Sequence, residues 1–278
     1  MNKLAFFIFA AISLFSCSKS DNASSSNNST NSSGRLTKVS GTVTGSSPIN
    51  NFEDSIAYDN NGKLIAFYRK INGASDTTTY ISRNAQGAIT RVSNVYYMQG
   101  LNLTVTSDAL GHYQRSVLLG PGYNDTMYYT YTGNKITQII CNKHENGTYQ
   151  IDKSISTYDA NDNMIKDEHF DINTSTGLST RNQTYESTFD NKQSPFYSIF
   201  NLNDYFIIIG ASQPGYGGDW SIGQNNVLTA RETIHNYYSH NIQYNYNGNN
   251  KPSSSNGTVI YTDNNGTTVT NTNITFTY

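Results

Sequence analysis

From Val39 to the C-terminus, short runs of alternating apolar and polar residues are broken repeatedly by Asp, Asn and Gly. This is the period-two pattern of half-buried strands joined by tight turns. Near the C-terminus Ile242, Tyr244 and Tyr246 share one face with Gln243 and Asn245 opposite, and Ile274, Phe276 and Tyr278 oppose Asn273, Thr275 and Thr277. No three-four apolar periodicity of comparable length competes with it. The turns share a degenerate unit: Ala57-Tyr58-Asp59-Asn60-Asn61-Gly62-Lys63-Leu64, then Ser82 to Ile89, then Thr106 to Tyr113. Later copies span Tyr129 to Ile136, Thr157 to Met164, Thr188 to Gln193 and Tyr244 to Asn249. The physics of the unit is that an aromatic ends one strand, Asp or Asn hydrogen-bonds the turn backbone, and Gly or Asn accepts positive φ. This reading expects positive φ at Gly62, Gly87, Gly111 and Gly248. The chain is expected to be all-β, with one β-domain over residues 39–278.

The aliphatic content is modest, but 22 Tyr and 12 Phe supply large apolar surfaces of roughly 150–250 Å² each. A sizeable core is therefore available without many Leu or Ile. The formal charge is −2 and no cluster of Lys or Arg breaks the balance. Nucleic acid is accordingly not expected as a partner, because phosphate binding needs a basic footprint.

Ahead of the β-domain, Met1-Asn2-Lys3 gives a positive start and Leu4 to Leu14 an apolar run. That run is shorter than the roughly 20 residues of a membrane-spanning helix. Leu14-Phe15-Ser16-Cys17 resembles the bacterial lipobox, with Phe15 bulkier than the usual occupant. The resemblance implies a lipoprotein signal peptide over residues 1–16, cleavage after Ser16 and lipidation of Cys17, so that the membrane becomes a partner through that anchor. Residues 17–38 follow as the lipidated Cys and a Ser/Asn-rich tether. Its Ser18 to Gly34 stretch, too polar to offset the entropy of ordering, should span about 20–25 Å as a coil. By analogy with lipoprotein sorting, Ser18 favours the outer membrane or cell surface, with the periplasmic face left open.

The turn units resemble the Tyr-Asp repeat, whose copies read Tyr-Asp-x-x-Gly-x-Leu. More closely, they resemble envelope lipoproteins of Bacteroidetes type carrying domain of unknown function 4595, described as porin-like. Phe189 to Phe196 and Gln224-Asn225-Asn226-Val227 are similar to segments of that family. The resemblance implies an antiparallel meander of repeated hairpins curling into a barrel-like, porin-like sheet, and it carries over no catalytic residue. A lipid anchor would be redundant on a membrane-embedded barrel. Segments such as Thr126 to Thr132 are also too rich in hydroxyls for a lipid-facing band.

Chemistry-bearing motifs are scarce. With Cys17 in the signal, Cys141 has no partner and is expected as a small buried hydrophobe. His235 and His240, five apart, should lie on opposite strand faces, and the histidines read as solvated surface with no metal site. Asp159 to Asn163 starts like a calcium loop, but Met164 and Phe170 stand where glycine and a bidentate Glu are needed. Asp167-Glu168-His169 reads as polar surface. No G-x-S-x-G, P-loop or H-E-x-x-H occurs, so no catalytic residue and no cofactor is expected. The distinctive loop is Gly215 to Trp220, where Trp220 and Tyr216 could form a platform for a sugar ring. The expected function is a non-enzymatic structural or interaction role at the envelope, with an envelope protein or a glycan as partner. A glycan-binding module is the alternative, and a hydrolase is a distant third.

Overall fold

The computed structural model describes residues 34–278 except 46–50, 94–99, 101, 146, 198, 200, 211–222 and 265. Sixteen strands run in chain order: β1 (Lys38–Gly45), β2 (Asn51–Tyr58), β3 (Leu64–Ile71), β4 (Ala74–Arg83), β5 (Ile89–Ser93), β6 (Asn102–Ser107), β7 (Tyr113–Gly120) and β8 (Tyr123–Thr132). They continue as β9 (Lys135–Glu145), β10 (Thr148–Tyr158), β11 (Met164–Ile172), β12 (Ser179–Gln193), β13 (Asn225–Glu232), β14 (Tyr238–Tyr246), β15 (Pro252–Asp263) and β16 (Gly266–Thr277). Each pairs antiparallel with its sequence neighbours, and β1 pairs with β16, Val39 opposite Phe276 and Val43 opposite Thr272, which closes the barrel. The expectation of an all-β antiparallel meander curling into a barrel is met.

Five loops from even to odd strands share one geometry. Asp59 Oδ1 accepts from the backbone N–H groups of Asn61 (2.9 Å) and Lys63 (2.8 Å), and Gly62 N–H donates to Asp59 O. Asp108, Asp159 and Asn247 repeat both side-chain bonds, and Asn84 repeats the second. Positive φ falls on the fourth residue counted from the Asp or Asn that heads each turn: Gly62, Gly87, Gly111, Asp162 and Asn250. A register shift accompanies each turn, at Tyr58, Arg83, Ser107, Tyr158 and Tyr246. Such bulges sharpen the local twist that a closing sheet needs.

Two of the expected turn features are corrected. Gly248 is the second residue counted from Asn247, and the positive φ of this turn belongs to Asn250 (58°), whose side chain tolerates the left-handed region. The Thr188 to Gln193 copy is not a turn. It lies inside β12, where Asp190 accepts from the hydroxyl of Tyr246 and the amide of Asn226. Asp190 keeps the bond from the backbone N–H two residues on, that of Lys192, but its other bonds run across strands.

The repeat's aromatic and aliphatic positions bind the hairpins to one another. Tyr58 Oη donates to Leu36 O at 2.6 Å, Tyr158 Oη donates to Ile136 O at 2.8 Å, and Tyr113 Oη accepts from Ile89 N at 3.0 Å. The first ties the β2–β3 hairpin to the segment entering β1, and the other two each tie a hairpin to the preceding one. The residue that follows each turn, Leu64, Ile89, Tyr113 and Met164, points inward and is buried. These residues form a core at one barrel end with the helix α1 (Leu202–Gly210). Phe206, Ile207 and Ile208 are buried in that core. The Phe206-Ile-Ile-Ile run suits a strand by propensity. Here Asn201 caps it, its side chain accepting from Asp204 N at 2.8 Å, and burial of the apolar residues overrides propensity.

At Gly111 an added Cβ would meet nothing within 4 Å, so φ alone penalises a side chain there. Gly111→Val should lower stability by about 1–3 kcal/mol, whereas Gly248→Ala should change it by less than about 0.5 kcal/mol. Urea unfolding of the two variants measures both. Equal losses would contradict the turn register.

Candidate functional site

Cys17, Tyr216 and Trp220 lie outside the described residues. Cys141 sits on the inner face of β9 and is buried, as expected of a small hydrophobe. The calcium-like segment is a turn whose Asp159 carboxylate is occupied by its own backbone and by Asn163, while Asp162 pairs with Lys135. It presents no vacant oxygen cage. Among the described residues no cluster of three metal-ligating side chains forms.

The end of the barrel that holds the repeat turns is occupied by α1. Asp204 on its first turn accepts from Tyr113 Oη at 2.5 Å and pairs with Arg83 at 2.7 Å, both partners buried. Asn203 accepts from Ile136 N at 3.0 Å and donates to Asn134 O at 2.7 Å. The helix is thus held through its side chains by the start of β9 and by β4 and β7. The chain enters at this same end: Thr37 N donates to Thr277 O, and Leu36 is fully buried beneath Tyr58.

Beyond the turns the inner wall mixes apolar residues such as Phe52, Leu103, Leu118 and Met127 with buried polar and charged ones. Asp54 and Arg69, both 0% exposed, form a two-pronged pair at 2.7 and 2.9 Å. Burial pushes the Asp54 carboxyl up, and the two-pronged Arg69 guanidinium pulls it back toward the charged form. Lys143 pairs with Asp152 at 2.6 Å. Asp167 accepts from Ser156 Oγ at 3.1 Å and lies 2.6 Å from His169 Nε2.

This corrects the reading of Asp167, His169 and His240 as solvated surface. Asp167 and His169 are two apart, so they share the inner face while Glu168 points outward, and His240 is buried beside Tyr238. Exposed His235, by contrast, sits in the β13–β14 turn. In the Ser156, Asp167 and His169 group the carboxylate stands between hydroxyl and imidazole. Nucleophilic activation needs the imidazole in the middle, so the arrangement orders the wall and does not prepare a hydroxyl for attack. Burial also raises the inner phenols, Tyr58 and Tyr131 to about 12, which keeps them neutral hydrogen-bonding groups.

A barrel of sixteen strands has room for an aqueous channel. In this one, inner residues on well-separated strands, Arg69, Ser116, Asp125, Glu232 and Thr270, are fully buried. The outer wall is ion-paired. Glu168 joins Lys166 (2.9 Å) and Arg181 (2.6 Å), Glu186 joins Arg231 (3.0 Å), and Glu53 joins Lys38 (2.5 Å) and Lys70 (3.2 Å). Alternation made the two faces readable in the sequence. It gave no sign that the inner one would be so polar, because a Ser, Asp or His at an inward position looks the same in sequence as one at an outward position.

A solved structure shares this architecture. A porin-like protein from Bacteroides uniformis aligns over 87% of this chain and 97% of its own, with a TM-score of 0.55 at 12% identity. One from Bacteroides vulgatus aligns over 88% and 98%, with a TM-score of 0.49 at 15% identity. The first likeness establishes a common fold. No family model and no curated protein matches the sequence.

Burial pushes the imidazole of His240 down to about 4. A histidine neutral in the folded state and titrating near 6.5 when unfolded contributes stability above pH 6.5 that is lost as pH falls toward 4. The loss amounts to about 3 kcal/mol in all. Denaturation midpoints taken between pH 4 and 7 should show this slope in the wild type and a shallower one in His240→Gln. An unchanged slope in the variant would assign the acid sensitivity elsewhere.

Proposed function

We propose that the chain is a lipid-anchored envelope protein whose barrel stands outside the bilayer and serves a structural or interaction role rather than conducting solutes. The observation that carries this reading is the outer wall. A lipid-facing band needs outward apolar residues over about 25 Å, and a charge at its midplane costs roughly 2–4 kcal/mol. Here the outward positions of β2, β3, β11, β12 and β13 hold Glu53, Lys70, Glu168, Arg181, Glu186 and Arg231. Fully buried inner residues and the α1 plug argue in the same direction. The porin-like description of the Bacteroides uniformis neighbour is taken for this chain as a description of shape.

The lipobox at Leu14 to Cys17 supplies the anchor, and the envelope-lipoprotein family that the turn units resemble fits the same location. Because residues 36 and 37 pack at the plugged end, the tether joins the barrel there. Three acyl chains on Cys17 would hold it firmly, since each buried CH₂ contributes about 0.8 kcal/mol.

Cys17→Ala should leave the barrel folded, abolish incorporation of radiolabelled palmitate and release the protein from the membrane fraction or leave it as an uncleaved precursor. A wild-type chain that takes up no label and fractionates as soluble would contradict the anchor. Purified wild-type protein that makes liposomes permeable to small sugars would contradict the closed barrel.

A further inference from the structure

One wall of the barrel is hollowed on the outside. Over β11 to β16 the outer surface encloses a groove of about 1180 Å³, and a second hollow of about 550 Å³ over β16, β1, β2 and β3 shares Asn273 with it. Glycine on the inner side marks where this wall is drawn in. A Cβ on Gly41 would stand 2.8 Å from the Phe52 ring and 2.4 Å from Asn273 O, and one on Gly257 would stand 2.7 Å from Thr272 Oγ1. Bringing the backbone that close to its neighbours leaves a concave exterior.

Strand register arranges the side chains of this hollow in rows. Asn241, Thr258, Asn271 and Thr44 follow one another across β14, β15, β16 and β1, and Gln243, Asn256, Asn273 and Thr42 form the next row. Neighbouring strands lie about 4.8 Å apart and successive outward residues about 6.6 Å, so the rows form a regular grid of amides and hydroxyls. The amides of Asn241, Gln243, Asn256 and Asn273 are exposed and bond to no other side chain or backbone group among the described residues. Beside the rows, Ile260 and Val269 pair with each other on the same face, 39% and 46% exposed. The rows themselves carry no charge. Charged groups stand at the margins and are paired, Arg231 with Glu186 on one side and Glu53 with Lys38 and Lys70 on the other.

We propose that this outer hollow is a binding groove for a neutral oligosaccharide. A primary amide offers two donors and an acceptor, which matches the donor-and-acceptor character of sugar hydroxyls. The Ile260–Val269 patch offers a surface for a ring's C–H face. An anionic polymer would find no unpaired cation in the rows. A peptide could not add as a strand, because the closed barrel has no free edge. The grid sits on strands hydrogen-bonded on both sides, so little ordering is needed on binding. The inference concerns the outer wall of β13 to β16 and β1 and depends neither on the Trp220 loop nor on the anchor.

The test is isothermal titration of the full chain, in a detergent without a sugar headgroup, with maltohexaose, cellohexaose, mannohexaose and xylohexaose. At least one should bind. Asn256→Ala combined with Asn273→Ala should weaken that binding by about tenfold or more, as expected for lost polar contacts, while the melting temperature holds. Should the double variant melt early, Asn241→Asp, which sets a charge in the groove without changing side-chain size, should weaken binding in its place. Tyr128→Ala on the opposite wall should leave affinity unchanged. The proposal is overturned if none of the four sugars binds, if binding survives both groove variants, or if only polygalacturonate binds. It is also overturned if the groove variants act solely by abolishing self-association in sedimentation.

Discussion

Pairing of β1 with β16 turns a meander into a ring, and a ring has an inside that must be either wetted or filled. Every strand then places one set of side chains inward, so the alternation that begins at Val39 becomes a division between lumen and exterior. The filling is asymmetric. At the end that carries the repeat turns, Leu64, Ile89, Tyr113, Ile136 and Met164 meet the helix of residues 202–210 in an apolar plug. Further along, Asp54 pairs with Arg69, Asp152 with Lys143, and Asp167 with Ser156 and His169. Buried charges are tolerable only in such pairs, because an unpaired one bears the full desolvation penalty.

The turn unit accounts for why the plug forms at that end. A carboxylate or amide at the head of each turn accepts from the loop's own N–H groups, which leaves the following aliphatic residue pointing inward. The accompanying tyrosine hydroxyl reaches the previous hairpin. Local and global preferences agree in Asp59, Asp108 and Asp159, and agreement of that kind lets a chain of hairpins settle in one register. The repeat is thereby explained by architecture alone.

Much of this was legible in the sequence, because period-two alternation and Asp-x-x-Gly turns act over a few residues. What escaped depends on partners far away in the chain. Gly248 looked like the left-handed residue, but turn position rather than residue type decides, and Asn250 holds that position. Thr188 to Gln193 carries the letters of a turn, yet Asp190 is claimed by Tyr246 and Asn226 across the sheet. The Phe206 to Ile208 run suits a strand by propensity, and its burial in the core as a helix depends on contacts with β5 and β9. His169 and His240 differ from surface histidines only in which face of the ring they occupy. The outer groove is the least legible of all, since it needs Gly41 and Gly257 to lie inside while Asn241, Asn256 and Asn273 align outside.

Ring closure is the premise of this account, and hydrogen–deuterium exchange reads it directly at the backbone. With β1 bonded on both sides, amides of residues 39–43 and 270–276 should exchange as slowly as those of the interior pair β7 and β8. If β1 and β16 instead exchange at the rate of open edge strands while β7 and β8 remain protected, the barrel is not closed. The lumen, plug and groove described here would then lose their common basis.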